Sequence, residues 1–208
     1  MNESSDIRYG IFLRPDPQTC WAITQITHAL KQQYGFVAAA AFAPHATLIG
    51  NLQLAISEDD LVRTLDPVFT DITAFPVYNS GAQRTDKGTF EYNIDLDFAA
   101  EKPNRHLRHV AQAVREAVLP LHIRHSDFLA PNVQEYQFAG HLGLASFELS
   151  INNRLSDDVG EFITGLPITA PSSFVADWYT LFQFEADWSG HWWNDMPWRH
   201  VKSWKANS

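Results

Sequence analysis

Twice along its 208 residues the sequence runs through one order of elements: strand, helix, linker, strand opening on histidine, helix, strand. The first pass begins with RYGIFL, Arg8 to Leu13, after which Pro15 and Pro17 break the strand. A helical stretch follows in which Ala22, Ile26, Ala29, Leu30 and Gln33 share one face. HATLIG, beginning at His45, has the β-branched and apolar content of a strand. Ser57 with Asp60 forms a capping-box pattern, and Leu61, Val62, Leu65, Val68 and Phe69 supply a helix face behind it. DITAFPVYN, Asp71 to Asn79, closes the pass as a strand that Pro76 confines to a sheet edge.

The second pass opens on FEYNIDLDF, where Phe90, Tyr92, Ile94, Leu96 and Phe98 alternate with polar residues, so one face is buried and the other wet. Pro103 marks the start of a helix whose stripe is Leu107, Val110, Ala111, Val114 and Val118, and Pro120 ends it. HLGLASF, His141 to Phe147, is the second histidine strand, a capped helix starts at Ser156, and SFVADWYTLFQFEA forms one long final strand. His45 lies twelve residues before Ser57 and His141 fifteen before Ser156, so the histidines hold matching places in two cryptic repeats. A pseudo-two-fold molecule would bring them face to face. The expectation is an α+β chain forming a single bilobal domain over 1–208, with lobes near 1–84 and 85–186 and a tryptophan-rich segment at 187–208.

Composition narrows the function. A formal charge of −9 argues against gripping long nucleic acid, which relies on many Lys and Arg contacts to phosphates, but leaves room for a small anionic ligand at a locally positive site. Cys20 is the only cysteine, so the chain builds no internal disulfide and no cysteine-based metal site, and a reducing, cytoplasmic setting is expected. The polar start MNESSDIRYG lacks signal-peptide character, and the apolar run FVAAAAFA is too short to span a bilayer, so no membrane association is expected. A monomer is expected.

In a strand, alternate side chains share a face, which puts His45, Thr47 and Ile49 on one side and Ala46, Leu48 and Gly50 on the other. The imidazole and the hydroxyl then project together, roughly 6–7 Å apart, a separation that suits two groups touching one phosphate. By the same parity His141 and Gly143 face the cleft and Leu142 and Leu144 the core. An isolated histidine of this kind is usually a structural one; the second histidine at the matching place changes that reading.

PHATL followed far downstream by GHLGL resembles the paired His-x-Thr/Ser-apolar motifs of the two-histidine (2H) phosphoesterase superfamily, which includes LigT-like 2′–5′ RNA ligases and cyclic phosphodiesterases. The resemblance implies two ferredoxin-like or RRM-like lobes, with antiparallel sheets around a central cleft and one motif strand from each lobe. It also implies metal-independent opening of 2′,3′-cyclic phosphates on nucleotides or RNA ends, with no cofactor. His45 is then the general acid, His141 the general base, and Thr47 a hydrogen-bond donor to a non-bridging oxygen, with the histidine roles exchanged in the ligase direction. Histidine's ordinary pKa near 6.5 suits both tasks.

Gly143 stands where the resemblance expects a second hydroxyl. Ser146, three residues further on, points to the opposite face unless a bulge intervenes. Glycine lets backbone approach closely, so the Gly143 N–H is a substitute donor, or the site makes room for a bulkier substrate. This departure motivates the alternative of a nucleotide- or RNA-binding protein that has lost turnover. The longer linker before His141 offers Arg124 and Tyr136 as phosphate and base contacts, and Arg14 offers another cation. A metal hydrolase using His106, His109, His122 or His125 is a third reading, but His106 and His109 fall off the apolar stripe of their helix, and no carboxylate stands at a convincing spacing. Trp188, Trp192, Trp193, Trp198 and Trp204 crowd the tail, where large rings can stack bases or, the more common use, cover a sheet edge or lobe junction.

Overall fold

Strand β1 (Ile7–Leu13) is apolar on both faces: Ile11 and Leu13 enter the main core, while Phe12 enters a second, aromatic one. A strand buried on both sides belongs in a sheet interior, and β1 lies between β2 (Ala46–Leu52) and β8 (Trp178–Glu185) in the antiparallel order β2-β1-β8-β9. The computed structural model describes residues 7–98, 101–123, 138–188 and 190–208. In it the molecule is α+β and bilobal. Against the four-stranded sheet pack α2 (Glu58–Thr70), which meets β9 (Trp198–Lys205), and α3 (Arg105–Val118), which meets β2. The other lobe holds the sheet β4 (Ala82–Arg84), β5 (Phe90–Asn93), β6 (His141–Ala145), and the two-stranded pair β3 (Phe75–Tyr78) with β7 (Ser173–Ala176). There α1 (Pro17–Tyr34) lies against β6 and α5 (Ser156–Gly165) against β4. The first helix of each repeat thus covers the histidine strand of the other. Division of the chain near residue 84 does not divide the sheets, because β1, with β2 on one side, takes β8 from the far end of the chain on its other side.

Local chemistry explains most of the elements. Ser57 caps α2 by accepting from Asp60 N, and Leu61, Leu65 and Phe69 are its buried face. Asn104, not Pro103, caps α3, accepting from Leu107 N, and the buried residues are the five of the predicted stripe. Pro76 sits exposed in a two-stranded sheet, where a missing N–H costs nothing.

Other expectations are corrected. In α1 the buried face is Thr19, Ala22, Ile23, Ile26, Thr27 and Leu30, and Gln33 is exposed, because Tyr34 of the same turn is the residue that packs against the core. FEYNIDLDF stays in the ladder only to Asn93. Beyond it Asp95 turns inward to Arg108, whose Nε lies 3.0 Å from Oδ1, and Phe98 is exposed. Ser156 does not cap α5; it is the helix's first residue and donates instead to Gly88 O at 2.9 Å. The long final strand breaks at Asp177 into β7 and β8, which join different lobes. The tail supplies β9, which completes the sheet and stacks Trp204 on Phe69 at 4.7 Å. Among the described residues no helix is long and apolar enough to cross a membrane.

A charged side chain adds to the packing between the lobes. Glu148, in α4 (Phe147–Ile151) just beyond β6, accepts with Oε1 from Val37 N at 2.6 Å and Ala38 N at 2.7 Å. Those amides open a single 3-10 turn ahead of β2. Hydrogen bonds to charged groups contribute about 1.5–3 kcal/mol each. Glu148→Ala is therefore expected to lower stability by about 2–4 kcal/mol in chemical denaturation, and Glu148→Gln, which keeps an acceptor oxygen, by much less.

Candidate active site

His45 immediately precedes β2 and His141 is the first residue of β6; the two strands lie against each other. Each ring is held in the same way. His45 Nδ1 is 2.8 Å from the carbonyl oxygen of Ala43, and His141 Nδ1 is 2.8 Å from that of Ala139, in both cases two residues earlier. A carbonyl only accepts, so Nδ1 donates, and Nε2 is the remaining nitrogen of each ring for proton transfer.

The pseudo-symmetry reaches the backbone irregularities. Ile11 and Phe12 of β1 oppose Ile49 and Thr47, leaving Leu48 as an extra residue; Phe90 and Glu91 of β5 oppose Ala145 and Gly143, leaving Leu144 as an extra residue. Both bulges fall three residues after a histidine. They put two consecutive side chains of each strand into the core, Leu48 with Ile49 and Leu144 with Ala145. Ile49 therefore does not share the face of His45 and Thr47, contrary to the simple alternation, whereas Thr47 stays half-buried.

A bulge does intervene before Ser146, but Ser146 has left the strand to head α4 and makes no capping bond there. Three residues of extended chain span about 10 Å, too far for its hydroxyl to stand in at the position of Gly143. Gly143 itself borders open space: a Cβ built there meets nothing within 4 Å. Across the ladder, Glu91 opposes Gly143 and Asn93 opposes His141.

The two histidines differ in their surroundings. Phe42 stacks on the His45 ring at 4.1 Å between centroids, and Phe12 meets it edge-on at 4.8 Å. Phe12 can lie there because Gly10, two residues earlier on the same face, has no side chain; a Cβ at Gly10 would come within 2.3 Å of the Phe12 ring. Burial in this aromatic clamp pushes the His45 pKa down to about 4, against the raising effect of the Ala43 carbonyl, and a charge on His141 adds to the depression. His45 is the neutral ring at pH 7. Unfolded, the same residue binds a proton with a midpoint near 6.5, so stability is lost as pH falls from 6.5 toward 4. His45→Gln is expected to lose less stability than the parent over that interval in urea titrations.

The remaining candidates fall elsewhere. Arg124, Tyr136 and His125 lie outside the described residues. Arg14 stacks over Trp178 at 4.5 Å, His106 stacks on Phe75 at 5.5 Å, and His122 Nδ1 is 3.0 Å from the Gln53 carbonyl. Among the described residues no three His, Cys, Asp or Glu side chains cluster to hold a metal. Surface depressions of about 480 and 490 Å³ involve Arg14 with Trp178 and His106 with His109, and neither includes His45 or His141. Trp192 and Trp193 pack in the aromatic core against Phe147, and Trp188 lies 4.5 Å under Arg8. Trp198 alone of the tail tryptophans is exposed. The Phe42–Phe12 clamp escaped the sequence reading, although Phe42 stands three residues before His45; nothing in the alternation marks it as a ring partner.

No family model and no curated protein matches the sequence. Solved structures do match. Apo LigT from E. coli aligns with a TM-score of 0.57 at 14% identity, over 97% of this chain and 98% of that one. The protein TT0787 of Thermus thermophilus aligns at 0.60 and 10% identity over 95% and 97% of the two chains. A structure described as a phosphoesterase aligns at 0.55 and 14% identity over 97% and 99%. Nearly full coverage in both directions shows that this chain has the bilobal fold of E. coli LigT, and within it the two histidine strands share the same bulge and the same ring tether.

Proposed function

We propose that the protein is a metal-independent phosphoesterase that opens 2′,3′-cyclic phosphates of nucleotides or RNA ends, with His45 and His141 as the proton-transfer pair. The observation that carries this is the equivalence of the two rings: each tethered at Nδ1 with Nε2 left over, on adjacent strands of two pseudo-symmetric lobes. In ring opening, a water oxygen bonds to phosphorus, one phosphorus–ribose oxygen bond breaks, one histidine takes the water proton and the other protonates the departing oxygen. Thr47 donates to a non-bridging oxygen as charge builds. Ligation at a 2′ oxygen is the reverse path through the same groups. Structures of E. coli LigT with 3′-AMP, with ATP and with phosphate support a small nucleotide as the ligand class.

The clamp around His45 supports it as the neutral member, which takes the water proton, and leaves His141 as the acid. This reverses the roles that the resemblance implies. The pH profile of kcat/KM reports the free enzyme. With His45 as base, activity rises with pH through an ionisation near 4, and Phe42→Ala moves that limb toward 6.5. Activity that instead falls as pH rises above about 4 would assign His45 the acid role. The whole reading is tested by following hydrolysis of adenosine 2′,3′-cyclic phosphate in excess EDTA: turnover to a monoester is expected, and its absence or loss on chelation counts against the proposal.

A further inference from the structure

Glu91 occupies a position that the two-histidine chemistry does not call for. In the β4-β5-β6 sheet it lies between Gln83 and Gly143 in one cross-strand row, while Asn93 opposes His141. Residues opposed in an antiparallel ladder project from the same face. Glu91 therefore shares the face of His141 and Gly143, and its neighbours Phe90 and Tyr92 enter the core. It is half-buried, and no hydrogen bond or salt bridge engages its carboxylate among the described residues. Asn93 is already committed, its Oδ1 accepting from Asp95 N at 2.9 Å. Since a Cβ at Gly143 would meet nothing within 4 Å, the place opposite Glu91 in this row is open and holds no side chain of its own.

We infer that Glu91 is a specificity-determining residue that lets the cleft hold the singly charged cyclic diester and expel the doubly charged monoester formed from it. The inference rests on the phosphoesterase reading of the same site. A hydroxyl at position 143 would donate to either phosphate. An ionised carboxylate only accepts, so it adds a repulsion that grows with the charge on the ligand. A cyclic phosphodiester carries one negative charge, whereas a monoester, with its second pKa near 6, carries nearly two above neutral pH. At a partly buried site this difference is enough to separate the two ligands by roughly tenfold in affinity. Glu91 thus trades some substrate attraction for release of product.

The test compares the parent with Glu91→Gln, which keeps shape and removes charge. The inhibition constants of adenosine 2′- and 3′-monophosphate are measured against the KM of adenosine 2′,3′-cyclic phosphate at pH 8 and pH 5. The ratio of monoester to diester affinity is expected to rise about tenfold in the variant at pH 8, and by much less at pH 5, where the monoester is singly charged. An unchanged ratio at pH 8, or an equal shift at both pH values, overturns the role of Glu91. If the parent itself binds neither ligand in calorimetry, the phosphoesterase reading fails and this inference with it; a parent that binds both, with a ratio insensitive to Glu91→Gln, overturns only the inference.

Discussion

His45→Ala and His141→Ala are each expected to lower kcat for adenosine 2′,3′-cyclic phosphate by about 10²- to 10⁴-fold, the ordinary range for a general acid or base. Thermal stability should separate this from misfolding. Neither ring is wholly buried, and the backbone of each strand is held by ladder bonds to β1 or β5 that do not involve the side chains. His45→Ala also leaves a hole beneath Phe42, so His45→Gln, which fills more of that space, is the control for packing. The double variant should be little worse than either single one, because the two groups act on one proton-transfer cycle and their effects do not add. Folded variants that turn over cyclic phosphate at the parent rate would refute the assignment of both rings. Loss in only one of them would mean that the second histidine is a structural companion.

Gly143→Thr is expected to raise kcat by about 10- to 100-fold. A hydrogen bond to a charged group is worth about 1.5–3 kcal/mol, and each 1.36 kcal/mol taken from the barrier is tenfold in rate. The structure removes the usual objection to adding a side chain. Gly143 has none of the positive φ that marks Gly35, Gly81 and Gly88, and the new Cβ enters open space. Threonine is also a good strand former. The result decides between two readings of the chain. A gain identifies a working enzyme limited by one missing donor. Tight binding of cyclic phosphate with no product, unrescued by Gly143→Thr, identifies a binding protein on the same scaffold.

The helix stripes were legible in the sequence because burial at a period of 3.6 leaves its mark on composition; Val110, Val114 and Val118 needed no structure to be placed. The matching placement of the two histidines was legible for another reason: two weak motifs at corresponding points of a repeat constrain each other. Parity failed at Ile49, since a bulge is a property of two strands in register and one strand carries no sign of it. The same limit hid Glu91. Its sequence position says only that it is on the polar side of β5; that this side faces Gly143 depends on a partner some fifty residues away. The role of the tail was similarly non-local, for β9 exists because β8 offers it an edge.

The weaving of the lobes has a consequence for synthesis and folding. β1 precedes its partner β8 by some 165 residues, so the sheet that positions His45 cannot close until that long stretch between them has been made. Closing contacts of such separation slows folding and lengthens the interval in which β1 offers an unpaired apolar strand to its surroundings. Although the sequence repeats, neither half is a folding unit: separated fragments should remain largely unstructured alone and regain order only when mixed.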